Sequence, residues 1–206
     1  MTHHRWLAPF TSVISGPTGS GKSVFTQRLL KQARKLITPP PERILYCYGV
    51  YQEIFSKMDG IEFNEGLPQL SEFDGAKPTL LVLDDLMHDT NNTVTKLFTQ
   101  ISHHTNTSVI FITQNLFHAG KETRTITLNS QYMVLFKNVR DQSQIAYLAR
   151  QLYPGKSKYM VEAYGDATKE PYSYLFVDLK PCTDDKHRLK ACIFPDDKYN
   201  YVYVPK

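Results

Sequence analysis

Residues 16–23 read Gly16-Pro17-Thr18-Gly19-Ser20-Gly21-Lys22-Ser23, a complete G-x-x-x-x-G-K-[ST] spacing. Three glycines in eight residues free the backbone to turn several N–H groups toward one point, and convergent N–H groups bind phosphate oxygens. All eight residues are therefore candidates for cradling a nucleotide's phosphates. Lys22 would reach the β- and γ-phosphates, and the Ser23 hydroxyl would sit on Mg²⁺. A pair of acids, Asp84-Asp85, follows the apolar run Leu80-Leu81-Val82-Leu83. Mg²⁺ takes oxygen ligands and is commonly held by one or two carboxylates beside phosphates. Asp84 is accordingly assigned to the metal, directly or through water. Asp85 is assigned as the base or water-orienting carboxylate. Gln114, after Thr113, can aim its amide at the γ-phosphate or the attacking water. Hydrolysis also gains from a cation on the γ-phosphate in the transition state, often an arginine from a neighbouring subunit. Arg124 and Arg140 are the candidates, one on each side of the apolar run Tyr132–Phe136. Pro154-Gly155-Lys156-Ser157 lacks the first glycine and is not a second phosphate loop.

These groups need elements to hold them. Thr11–Ser15 reads as a strand and Val24–Leu30 as a helix, so the glycine run has the strand–loop–helix context that phosphate loops require. Thr38-Pro39-Pro40-Pro41 ends that helix, because proline cannot continue it. Further strands are expected at Arg43–Tyr48, Thr79–Leu83, Ser108–Thr113 and Tyr132–Phe136, with a small one near Ile61–Phe63. The aliphatic runs are continuous, as in strands buried on both faces. Helical spacing predicts a short helix at Tyr51–Met58 and longer ones at Thr93–His103, Asp141–Leu152 and Ser157–Tyr164. Tyr172–Leu179, Arg188–Phe194 and Tyr199–Val204 read as strands or extended arms. The alternation predicts an α/β fold with a parallel, doubly wound sheet. In such sheets ligands bind at the carboxyl ends of the strands, where the glycine loop, Asp84-Asp85 and Gln114 all fall.

At 206 residues, one domain is expected over 1–206, with an extended C-terminal segment from about residue 170. A formal charge of +4 is compatible with a polyanionic partner and does not itself specify one. Cys47, Cys182 and Cys192 include no C-x-x-C pair, and three cannot all pair internally; a reducing, intracellular compartment is the simplest expectation. The longest apolar runs are far too short to span a bilayer, and the start of the chain lacks the charged-then-apolar layout of a signal peptide. The seven histidines show no metal-ligand spacing; the adjacent His103 and His104 would point about 100° apart on a helix.

The phosphate loop, the Leu-Val-Leu-Asp-Asp strand and the strand ending Thr-Gln-Asn resemble the FtsK/HerA superfamily of DNA-pumping ATPases. The segment His103–Phe117, then Arg124–Asn129 and Phe136–Gln144, is similar to the genome-packaging ATPases of Maverick/Polinton elements and adintoviruses. The resemblance runs from Thr11 to about Phe194. It implies a P-loop, RecA-like fold, a homo-oligomeric ring, and ATP-driven transfer of double-stranded DNA into a capsid through a capsid or portal-like partner. It carries the glutamine role onto Gln114 and the trans-acting arginine onto Arg124 or Arg140. The superfamily often ends this strand Asp-Glu; Asp84-Asp85 here shortens the second arm. DNA contacts would come from basic loops facing a pore, reading phosphates and not sequence; Lys121, Lys137, Lys156 and Lys158 could supply them. Two other functions share the same nucleotide site: a helicase or AAA-type remodeller, and a monomeric nucleotide switch or nucleotide kinase.

Overall fold

The apolar runs of the sequence become the middle of one sheet. The computed structural model describes residues 4–86, 93–116 and 121–205. In chain order the elements are β1 (Trp6–Leu7), β2 (Thr11–Ser15), α1 (Lys22–Lys31), α2 (Ala33–Leu36), β3 (Ile37–Thr38), β4 (Arg43–Tyr48), β5 (Glu62–Glu65), β6 (Thr79–Asp84) and α3 (Thr93–Lys96). A π-helical turn at Leu97–Ile101 carries α3 into α4 (Ser102–His104). There follow β7 (Thr107–Thr113), α5 (Lys121–Leu128), β8 (Tyr132–Phe136), α6 (Ser143–Leu152), α7 (Ser157–Ala167), β9 (Tyr174–Asp178), β10 (Leu189–Ala191) and β11 (Tyr201–Tyr203).

Among the described residues nine strands form one sheet in the order β11-β10-β9-β8-β2-β7-β6-β4-β5. From β8 to β5 every pair is parallel. Alternate residues of each central strand face opposite layers. Leu81 and Leu83 join Val109, Phe111, Met133 and Leu135 in one core, under α3 to α7. Leu80 and Val82 join Ile14, Ile110, Ile112 and Val134 in the other, under α1 and α2. Both faces are covered, which is why these strands read as unbroken aliphatic runs without alternation. Truncating one such residue, Leu81→Ala for instance, is expected to cost about 2–5 kcal/mol.

The doubly wound expectation holds for the parallel part and fails beyond β8, where β9, β10 and β11 pair antiparallel. The cause lies in the connection. One crossover helix returns a chain to the end from which it started, so the next strand runs parallel. Here two helices, α6 and α7, lie between β8 and β9, and the second undoes the return made by the first.

Other differences are local. The short helix expected at Tyr51–Met58 is a 3₁₀ turn over Glu53–Lys57. Asp141 stands outside α6 and accepts hydrogen bonds from the Ser143 hydroxyl and, at 2.6 Å, from Gln144 Nε2. These bonds fix the aspartate ahead of the first helical turn. Helix α5 was not expected, because Thr123, Thr125, Ile126 and Thr127 favour strands over helices. Burial of Ile126 in the α3–α7 core overrides that preference. The pair β1–β3 was also not foreseen; it docks Trp6 against Phe10, Tyr132 and Phe176. Behind β10, Phe194, Asp196 and Asp197 close over α1: the Arg28 guanidinium lies 4.1 Å from the Phe194 ring and 2.7–2.8 Å from both carboxylates.

Candidate functional site

The glycine loop leaves β2 and enters α1 as its sequence context requires. Gly19 and Gly21 have φ of +77° and +106°, in the left-handed region that favours glycine. A Cβ at Gly16 would fall 2.6 Å from Phe136 Cβ and 2.7 Å from Ser20 Oγ, so the loop closes against β8 only because that position has no side chain. Helix α1 starts at Gly21 with no side-chain cap and no acid in its first turn. Its leading N–H groups and positive dipole end are therefore left for an anion. Inside the loop, Lys22 Nζ donates to the carbonyls of Gly16 at 2.6 Å and Pro17 at 3.0 Å. Burial lowers the Lys22 pKa, against the opposing pull of Asp84 and Asp85. Ser20 Oγ is buried without a hydrogen-bond partner among the described residues.

The register sets the acids opposite this loop. Ser15 pairs with Thr113 on β7, and Asp84 on β6 pairs with Ile112. Only β7 separates β2 from β6, so Asp84 lies two strand spacings, about 10 Å, across the sheet from Ser15. Asp84 is 7% exposed and accepts a 2.7 Å hydrogen bond from the Tyr46 hydroxyl. Burial raises its pKa; the Tyr46 bond opposes that, Asp85 adds to it and Lys22 opposes it. The same burial pushes the Tyr46 hydroxyl above its ordinary value. Asp85 is exposed and left-handed, with φ of +54°. This turns the two neighbouring carboxylates into different surroundings, one fixed in the core and one in solvent. Gln114 caps the intervening strand, exposed, and its Oε1 accepts a 3.3 Å hydrogen bond from Thr18 Oγ1 in the loop.

The structure thus brings Lys22, Asp84, Asp85 and Gln114 to one end of three strands. Neither arginine bonds to that group, although β8, which leads to Arg140, packs against the glycine loop at Phe136. Arg124 is exposed on α5, and Arg140 is exposed just past β8; among the described residues neither guanidinium makes an ion pair or hydrogen bond. The stretch carrying Arg140 is held firmly. Tyr164 donates to the Phe136 carbonyl and accepts from the Asn138 N–H, both at 2.9 Å. Asn138 Oδ1 accepts from the N–H groups of Arg140 and Asp141. Gln144 Oε1 accepts from the Leu116 N–H at 3.2 Å, which ties this stretch to the loop after β7. Lys137, Lys156 and Lys158 are exposed; the Lys121 side chain and Phe117 lie outside the described ones. Sequence reasoning assigned no role to Tyr46, Asn138, Gln144 or Tyr164. Tyr46, Gln144 and Tyr164 act through contacts between elements far apart in the chain, while Asn138 Oδ1 bonds N–H groups two and three residues on, within the segment Phe136–Gln144 that the resemblance singles out.

Among the described residues no cluster of three or more His, Cys, Asp or Glu could hold a metal by itself. No described helix is long and apolar enough to cross a membrane. A cleft of about 670 Å³ near the far end of α1, bordered by Lys31, Arg34 and Lys57, takes no residue from the glycine loop and is not this site.

No protein-family model matches the chain, and no curated protein matches it. A solved structure does resemble it: the genome packaging NTPase B204 from Sulfolobus turreted icosahedral virus 2, in complex with ATP-gammaS. The alignment covers 95% of this chain and 97% of that one, with 12% identity and a TM-score of 0.52. At that identity the likeness is one of fold, an α/β arrangement with a mostly parallel sheet.

Proposed function

We propose that this chain is a P-loop ATPase with a RecA-like fold that drives double-stranded DNA into a viral or transposon capsid, working as a homo-oligomeric ring. One observation carries the reading: Asp84, Asp85 and Gln114 converge on a glycine loop whose lysine points into it. The fold likeness to a genome packaging NTPase supports the choice of cargo, as do the segments that resemble Maverick/Polinton packaging ATPases.

In this reading the N–H groups of residues 16–23 bind the phosphates, and Lys22 exchanges its two carbonyl partners for β- and γ-phosphate oxygens. Ser23 and Asp84 would hold Mg²⁺, and Tyr46 keeps Asp84 from rotating. Bound there, Mg²⁺ supplies positive charge to the β- and γ-phosphate oxygens. Asp85, exposed and beside Asp84, orients the attacking water and accepts its proton. The water oxygen bonds to the γ-phosphorus as the bond to the bridging oxygen breaks, and ADP leaves with that electron pair. Gln114 holds the water from the other side, and its hydrogen bond from Thr18 links it to the glycine loop. An arginine from the neighbouring copy, Arg124 or Arg140, would complete the charge balance. Both guanidinia are exposed, as a residue acting on another subunit must be.

The test is ATP turnover by the full chain, with and without double-stranded DNA of several unrelated sequences. DNA of any sequence should stimulate turnover, and rising salt should weaken that stimulation as phosphate contacts give way to counterions. Lys22→Ala should remove measurable turnover while the circular dichroism spectrum stays native. Wild-type-like turnover in folded Lys22→Ala would overturn the nucleotide site. Turnover indifferent to DNA would overturn the translocase.

A further inference from the structure

The two flanks of the glycine loop differ in chemistry. On the β7–β6 side stand Gln114, Asp85 and Asp84, polar and acidic. On the β8 side a Cβ at Gly21 would meet Tyr172 Cβ at 3.1 Å and Phe136 Cε1 at 3.3 Å, so that flank is aromatic. Phe136 is buried core, but Tyr172 is 71% exposed. Among the described residues Tyr172 makes no ring contact and its hydroxyl no hydrogen bond. Its backbone is left-handed, with φ of +63°, a conformation rare for bulky residues and kept only where surroundings impose it. Tyr172 thus lies against Gly21 in a strained conformation, with its exposed ring face and hydroxyl unused among the described residues.

A nucleotide seated in the loop supplies one. Its γ-phosphate end must face the groups that activate water, on the Asp84 side. The α-phosphate, sugar and base then leave on the opposite side, past the first turn of α1. We propose that Tyr172 is the platform on which the nucleobase stacks; this rests on the phosphate-loop reading given above. A bare ring face offers stacking area but no hydrogen-bond pattern. It favours the larger purine ring over a pyrimidine and separates adenine from guanine poorly.

Calorimetric titration of the full chain with Mg²⁺ and ATP, GTP, CTP or inorganic tripolyphosphate tests the proposal. Tyr172→Ala should weaken ATP and GTP about tenfold and CTP less. It should leave tripolyphosphate unchanged, and Tyr172→Phe should bind like wild type. Unaltered ATP affinity in Tyr172→Ala would overturn the platform. So would an equal loss for tripolyphosphate, which would make Tyr172 a prop for Gly21. Wild-type protein that binds neither nucleotide nor tripolyphosphate would overturn the phosphate loop itself, a separate failure. Should Tyr172→Ala not fold, photolabelling of wild type with 8-azido-ATP decides: label on the peptide containing Tyr172 supports the proposal, and label confined elsewhere overturns it.

Discussion

Asp84 and Asp85 are chemically alike and differ only in surroundings. Asp84 is buried and held by Tyr46; Asp85 is exposed on a left-handed turn. If the first serves the metal and the second the water, Asp85→Asn should bind Mg·ATP normally and hydrolyse it at least a hundredfold more slowly. Asp84→Asn should lose Mg²⁺-dependent binding as well. Parallel titrations of Mg²⁺ and a non-hydrolysable analogue check this, and equal binding losses in the two variants would refute the division. Tyr46→Phe removes the hydroxyl that serves Asp84 and leaves a buried acceptor without its donor. A loss of about 1–3 kcal/mol in unfolding free energy is expected from denaturant titration. The sign of the pH effect follows from the same bond. Tyr46 pulls the Asp84 pKa down against burial, so without it the pKa rises further and more of the group is protonated at a given pH. The acid limb of Mg²⁺-dependent binding should therefore move to higher pH in Tyr46→Phe. An unmoved limb would mean that the hydroxyl does not govern Asp84.

At the scale of elements, the stretch 137–141 after β8 is set by α6 and α7. Tyr164 of α7 spans Phe136 and Asn138, and Asn138 in turn shapes the backbone at Arg140. Tyr164→Phe deletes one donor and one acceptor in a single change. It should lower stability by about 1–2 kcal/mol. If Arg140 is the trans-acting cation, it should also slow DNA-stimulated turnover while leaving ATP affinity intact, because Tyr164 bonds Phe136 and Asn138 and makes no hydrogen bond to the phosphate loop itself. Thermal denaturation, ATP titration and turnover measured on the same preparation separate these effects. Weakened ATP binding in folded Tyr164→Phe would show that the stretch supports the loop in cis instead.

At the scale of the whole molecule, the described site has its lysine, carboxylates and glutamine at one sheet end, with no arginine bonded to them. A site completed by a neighbour makes turnover per subunit rise with protein concentration. The sharper check mixes two inactive proteins. Lys22→Ala keeps its arginines, and Arg124→Ala or Arg140→Ala keeps its phosphate loop. Mixed rings should recover part of the wild-type turnover wherever an intact loop meets an intact arginine. No recovery for either arginine, in rings shown by native mass spectrometry to be mixed, would place the completing cation in cis or on another residue.

The sequence by itself determined the glycine loop and its flanking strand and helix. Loop chemistry is local: left-handed glycines, a lysine and a serine at set spacing need no distant partner to be recognised. It also determined the buried strands, because a strand covered on both faces is mostly apolar along its length. Asp84 and Gln114 were legible from the same runs, Asp84 as the first polar residue after one and Gln114 as the second. Only the tertiary structure decided the rest. Which strand lies between β2 and β6, and so how far Asp84 stands from the loop, depends on pairings between residues dozens of positions apart. Tyr46, Tyr164 and Tyr172 look alike in sequence, and only their surroundings separate a carboxylate's clamp, a loop's brace and an exposed ring. Helix α5 defeated its own β-branched residues because burying Ile126 outweighed their weak preference. The reversal at β9 followed from the packing of two helices where one would have kept the sheet parallel. Local spacing records what a segment can do alone; register, burial and pairing are properties of segments in contact.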